Sequence, residues 1–143
     1  MPGQQPPHLV SYRDAVLRAL IVDYAGVLTD VDGDPQREPP ILTAVRDAHE
    51  RGIRTAMISN AEVGPDWLPD VFDAVVLSGD VGLAKPDMRI FALTADRLGV
   101  APAECVFVDD LIGNVRGAVA AGMVGVHHRR ADATLAELAA LLP

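Results

Sequence analysis

Short apolar runs punctuate this chain, and they are continuous rather than alternating. From Ala19 the run Ala-Leu-Ile-Val ends abruptly at Asp23. Similar runs occupy Ile53 to Ile58, Ala74 to Leu77, Cys105 to Val108 and Met123 to Val126, each closed by Ser, Gly, Asp or His. Runs of this length without a polar face predict strands covered on both sides. Helical spacing fills most of the intervals. Ile41, Ala44, Val45 and Ala48 form one face; Ile90, Phe91, Thr94 and Leu98 a second; Ile112, Val115 and Val119 a third; Leu135, Leu138, Ala139 and Leu142 a fourth. Pro40 starts the first helix and Gly52 follows its end.

Strands alternating with helices predict right-handed crossovers and a parallel five-stranded sheet between two helical layers, a three-layer α/β/α Rossmann-like fold. Ligands of such sheets bind beyond the carboxyl ends of the strands. The residues expected there are Asp23 with Gly26, Ser59 with Asn60, Ser78 with Gly79, Asp109 with Asp110, and His127 with His128.

The length of 143 residues suits one domain, expected over 11–143, behind a Pro- and Gln-rich tail over 1–10. Half the residues are hydrophobic but only 4% are aromatic, so aliphatic side chains fill the core. A net charge of -8 argues against a nucleic-acid surface, and an anionic ligand would need a local positive site. Lys85 is the one lysine. The lone Cys105 excludes an internal disulfide and reads as core filling in a reducing compartment. No apolar run approaches membrane-spanning length and no signal peptide is evident, so a cytoplasmic protein is expected.

Four features carry chemistry. Asp23 ends a buried strand; with Gly26 after it, it serves either as a turn residue or as a nucleophile able to form an aspartyl-phosphate. The adjacent Asp109 and Asp110 repel each other unless something positive is beside them; they cap the following helix or, with Asp23, hold Mg²⁺. Lys85 lies in Gly82-Leu83-Ala84-Lys85-Pro86-Asp87, where it can balance carboxylate and phosphate charge, and Asp87 is placed to cap the next helix. Ser59 can donate its hydroxyl to a phosphoryl oxygen.

In that order, Asp23-Tyr24-Ala25-Gly26-Val27-Leu28-Thr29, Ser59-Asn60, Lys85-Pro86-Asp87 and Val106-Phe107-Val108-Asp109-Asp110 with Asn114 resemble the four motifs of the haloacid dehalogenase-like hydrolase superfamily. Residues 82–123 look especially like the phosphatase domain of soluble epoxide hydrolases and their bacterial relatives. The resemblance implies an Mg²⁺-dependent phosphatase acting through an aspartyl-phosphate. Asp23 would be nucleophile and metal ligand, Asp110 a direct metal ligand, and the carbonyl of Ala25 another. Asp109 would hold a metal-bound water or orient Lys85. Ser59, Asn60 and Lys85 would bind the phosphoryl group, and Asn114 would brace the helix start.

One position departs from the pattern. Phosphatases of the family place a second aspartate two residues after the nucleophile as general acid and base, where this chain has Ala25. Three outcomes stay open: slow turnover of substrates with good leaving groups, another donor among Asp30, Asp32 and Asp34, or a relative that only binds phosphate, metal or a protein. The segment 30–39 has room for a hairpin flap and no helical cap, and 77–85 is equally short. The resemblance then implies an open site for a phosphorylated small molecule or a macromolecular phosphate, with no nucleic acid or membrane, and allows a homo-oligomer. His127-His128-Arg129-Arg130 reads as a solvated basic turn, and Trp67 as a loop anchor.

Overall fold

The computed structural model describes residues 16–143. The expected tail and the boundary at residue 11 lie outside the described residues. Five strands, β1 (Ala19–Val22), β2 (Arg54–Ser59), β3 (Ala74–Leu77), β4 (Cys105–Asp109) and β5 (Val124–His127), form one sheet in the order β3-β2-β1-β4-β5. Every pairing is parallel. The helices are α1 (Pro40–Glu50), a single turn α2 (Ser78–Val81), α3 (Met88–Leu98), α4 (Ile112–Ala120) and α5 (Ala131–Leu141). The sheet and its two helical layers are those expected.

The strands read as unbroken apolar runs because they feed two cores. Leu20 and Val22 point to a cluster with Ile41, Val45 and Leu138, whereas Ala19 and Ile21 point to the opposite one with Ile90, Phe91 and Leu98. All four β1 residues are fully buried. At roughly 1.5–3 kcal/mol for each large side chain removed from water, these two faces dominate the stability of the domain. Asp87 caps α3 by accepting the Arg89 backbone N–H at 2.9 Å. Cys105 is core filling, with burial pushing its thiol up to about 12.

Two local expectations change. On α4, Ile112 and Val119 are 43% and 54% exposed, and the buried positions are Asn114, Val115, Gly117 and Ala118. The cause is close packing: a Cβ on Gly117 would lie 2.5 Å from the Pro86 carbonyl oxygen, so α4 rests against the Lys85–Pro86 loop through a bare backbone. Residues 29–39 form successive turns instead of a hairpin. Asp30 and Asp34 accept the backbone N–H groups of Asp32 and Gln36, each at 3.0 Å. Such side-chain bonds compete with strand pairing, and Pro35 and Pro39 have no N–H to offer a ladder. Among the described residues no second domain interrupts the fold at 29–39 or between β3 and Lys85.

Candidate active site

The chain runs outward from β1 to β2 and β3, then crosses back to place β4 on the other side of β1. This reversal opens the sheet's carboxyl edge beside β1. Asp23 follows β1, Ser59 closes β2, and Asp109 closes β4 with Asp110 next. The loop between α2 and α3 brings in Lys85. Asp23, Ala25, Ser59, Asn60, Lys85 and Asp110 line one cleft of about 300 Å³, with Leu111 and Asn114 at its side. A larger apolar groove between α1 and α5 contains none of them.

Lys85 is the electrostatic centre. Its Nζ donates to Asp23 Oδ1 at 2.6 Å and to Asp109 Oδ2 at 2.9 Å, and the residue is 5% exposed. An ammonium buried so deeply requires partners of opposite charge, and two carboxylates so near each other require a cation. Asp109, wholly buried, also accepts the Leu111 backbone N–H on Oδ1 at 2.9 Å and the Asn114 amide on Oδ2 at 3.0 Å. It thus supports the turn before α4 and orients Lys85 together. Burial pushes the Asp23 carboxyl up to about 6, outweighing the downward pull of Lys85, while the charge of Asp109 adds to the rise.

Asn60 has a task that its sequence position did not suggest. Its Oδ1 accepts the Lys85 backbone N–H at 2.8 Å and its Nδ2 donates to the Lys85 carbonyl at 3.0 Å. The amide clamps the peptide that carries the lysine, leaving one N–H for anything else. Asn114, in the first turn of α4, donates to the same Asp109 that holds the Leu111 N–H, a bond that ties the helix start to the end of β4. Tyr24 and Trp67 lie with ring centroids 6.0 Å apart, joining the turn after Asp23 to the loop after β2.

The basic turn after β5 is not a solvated one at its histidines. His127 Nδ1 accepts from Arg129 Nε at 3.2 Å, so its Nε2 carries the proton donated to the Asp110 carbonyl at 2.9 Å. The His128 backbone N–H bonds the Asp109 carbonyl at 2.9 Å. Two successive histidines therefore tether the two carbonyls of the acidic pair. The buried His128 ring bridges Asp30 Oδ2 and Thr134 Oγ1, each at 2.7 Å, tying the turn segment to α5. The backbone N–H of Asp32 and His128 together hold the Asp30 carboxyl below its usual range.

Oxygens of Asp23, Asp109 and Asp110 lie within 4.8 Å of one another, a hard, anionic donor set that fits a divalent cation such as Mg²⁺. Gly26 gives Asp110 its place: φ is +85°, and a Cβ there would lie 2.4 Å from Asp110 Oδ2. Gly26→Ala is expected to cost about 1–2 kcal/mol of stability through the left-handed backbone. The larger loss falls on the site, because the carboxylate is the part that swings away. If Asp110 holds the cation, calorimetric titration with Mg²⁺ should show an affinity at least about tenfold weaker than that of the unsubstituted protein while the variant remains folded.

A model of the haloacid dehalogenase-like hydrolase family matches residues 8–122. Among similar sequences, a glyceraldehyde 3-phosphate phosphatase of Methanopyrus kandleri is 33% identical over 100 residues, covering 64% of this chain and 43% of that protein. Bifunctional epoxide hydrolase 2 of Sus scrofa is 30% identical over 115 residues, covering 69% of this chain and 20% of that protein. The chain thus spans less than half the length of either. Among solved structures, an uncharacterized protein of Corynebacterium glutamicum superposes with a TM-score of 0.76 at 38% identity, covering 87% of this chain and 94% of its own. With the parallel sheet, the motif order and a family match over most of its length, this chain belongs to the haloacid dehalogenase-like hydrolases.

Proposed function

We propose that the chain is a phosphohydrolase domain in which Asp23 attacks the phosphorus of a phosphorylated substrate. The observation that carries this reading is the Asp23–Lys85–Asp109 triad, with Asp23 and Lys85 lining one cleft together with Asp110 and the buried Asp109 behind them. Asp23 is the nucleophile. The lysine both holds it in place and offsets negative charge near the reacting phosphoryl group, the usual route by which a protein catalyses this transfer. Ser59 orients a phosphoryl oxygen through its hydroxyl. Asn60 acts at one remove, by fixing the Lys85 peptide.

Asp23, Asp110 and the Ala25 carbonyl are the proposed ligands of Mg²⁺, with Asp109 orienting Lys85. When bound, the cation would neutralise charge on the phosphoryl oxygens. Ala25 cannot exchange a proton, so the substrates that suit the site are acyl and aryl phosphates, whose leaving groups depart as weak bases. Of the three candidate donors Asp30, Asp32 and Asp34, the first two line a separate cleft with Arg129 and Arg130. The same alanine favours a second reading, a phosphate- or metal-binding module without turnover. Hydrolysis of acetyl phosphate and an aryl phosphate, abolished by a chelator and restored by Mg²⁺, supports the enzyme; its absence leaves the binding module.

The raised Asp23 carboxyl adds a pH signature. In the metal-free protein Asp23 takes up a proton as pH falls through about 6, so the cation must displace that proton in acid. Mg²⁺ affinity should weaken below pH 6. Calorimetry in buffers of different ionisation enthalpy should detect proton release on binding at pH 5.5 and almost none at pH 7.5. Equal release at both would disprove the ligand role of Asp23.

A further inference from the structure

We propose that His127 is a positioning residue for Asp110, its ring fixing the backbone from which that carboxylate is presented to a divalent cation. This rests on the ligand role given to Asp110 above. His127 lies beside Asp109 at the last paired position of β4 and β5, and the His128 N–H then bonds the Asp109 carbonyl. There the ladder ends. The next carbonyl, that of Asp110, lies beyond β4, yet it precedes the Leu111 carbonyl, which accepts the N–H groups of Asn114 and Val115 in the first turn of α4. His127 serves this gap with its side chain: Nε2 donates to the Asp110 carbonyl at 2.9 Å.

Arg129 selects the nitrogen that donates. Its Nε bonds His127 Nδ1 at 3.2 Å, so the proton of the neutral ring stays on Nε2, where the Asp110 carbonyl can accept it. The Asp110 carboxylate is in a different position from that of Asp109. It takes none of the donors that hold Asp109, and it lines the cleft in the room that Gly26 leaves. Its direction therefore depends on the backbone beneath it. A ligand held in place before an ion arrives loses little freedom on binding, and groups that orient a metal ligand typically govern about 10- to 100-fold in affinity.

The test is calorimetric titration of the full chain with Mg²⁺, with melting temperatures measured alongside. His127→Met and His127→Gln have similar size and no charge, and only the glutamine can donate to the Asp110 carbonyl. His127→Met is expected to bind Mg²⁺ at least about tenfold more weakly than wild type, and His127→Gln to recover most of that loss. Arg129→Ala, at an exposed position, should weaken binding by less than His127→Met, because the ring keeps its reach and loses only the bond that selects its tautomer. Wild-type affinity in His127→Met overturns the proposal. Equal weakening in the two His127 variants does so too, since it would trace the loss to packing and not to the donated bond. If His127→Met does not fold, wild-type affinity in Arg129→Ala overturns the proposal instead. A wild type that binds no Mg²⁺ overturns the ligand role of Asp110 and this proposal with it, whereas binding that wild type and variants share overturns the proposal alone.

Discussion

Asp23→Asn is expected to reduce Mg²⁺-dependent turnover of acetyl phosphate to background, a loss of about 10⁴-fold or more, with the melting temperature nearly unchanged. An amide is a poor nucleophile toward phosphorus, and the loss of a covalent nucleophile is not shared out among its neighbours. The fold should tolerate the change for a reason visible in the structure. Burial already disfavours the Asp23 carboxylate, as its upward shift to about 6 records. Removing its charge relieves that penalty and costs the 2.6 Å bond from Lys85, two effects of opposite sign. Lys85 keeps Asp109. Residual turnover within tenfold of wild type would remove Asp23 from the reaction.

Lys85→Met should damage fold and function together. The apolar stem is nearly preserved in size, but Asp23 and Asp109 are left facing each other without the cation between them. Breaking a buried pair by removing one partner costs about 3–5 kcal/mol, or a fall of about 10 °C in melting temperature for a domain of this size. The pH dependence gives the cause. The Asp23 carboxyl, already raised by burial, would lose the downward pull of Lys85, so the folded state would bind more protons than the unfolded state and its stability would fall as pH rises. The variant should therefore melt higher at pH 5 than at pH 7.5. Turnover should be lost at either pH, because no other lysine exists in the chain. A melting curve indifferent to pH, or unchanged from wild type, would mean that the triad is not what holds these carboxylates.

The fold was legible because its signals are local. Ala19–Val22 and Cys105–Val108 are buried on both faces, and unbroken apolar runs of four residues have few other uses. The helix periods worked where a helix packs one broad stripe on the sheet, as for Ile90, Phe91 and Leu98. They failed on α4, where a small residue sets the contact: Gly117 marks the buried side of that helix by having no side chain, and a hydrophobic pattern cannot register it. The turn segment after Thr29 failed similarly, since Asp30 and Asp34 satisfy backbone N–H groups that a hairpin would have paired.

At the site, the residue types pointed to the cluster but not to the division of labour. Asn60 beside Ser59 looks like a ligand-binding residue, yet it holds the peptide of a lysine 25 positions away. His127 and His128 beside two arginines look like a solvated turn. Their partners, Asp110 and Asp30, lie 17 and 98 residues distant, and nothing in a local window connects them.

By itself, the sequence determined the order of strands and helices, the carboxyl-end residues, the single lysine and the absence of an acid at Ala25. These follow from composition and short-range spacing, which survive in one dimension. Only the tertiary structure decided that Lys85 lies between Asp23 and Asp109, that Gly26 makes room for Asp110, and that the neighbouring histidines and Asp30 are already engaged. Those are matters of distance and burial. A carboxylate becomes a nucleophile, a ligand or a brace according to which donors reach it within 3 Å and how much water is left around it.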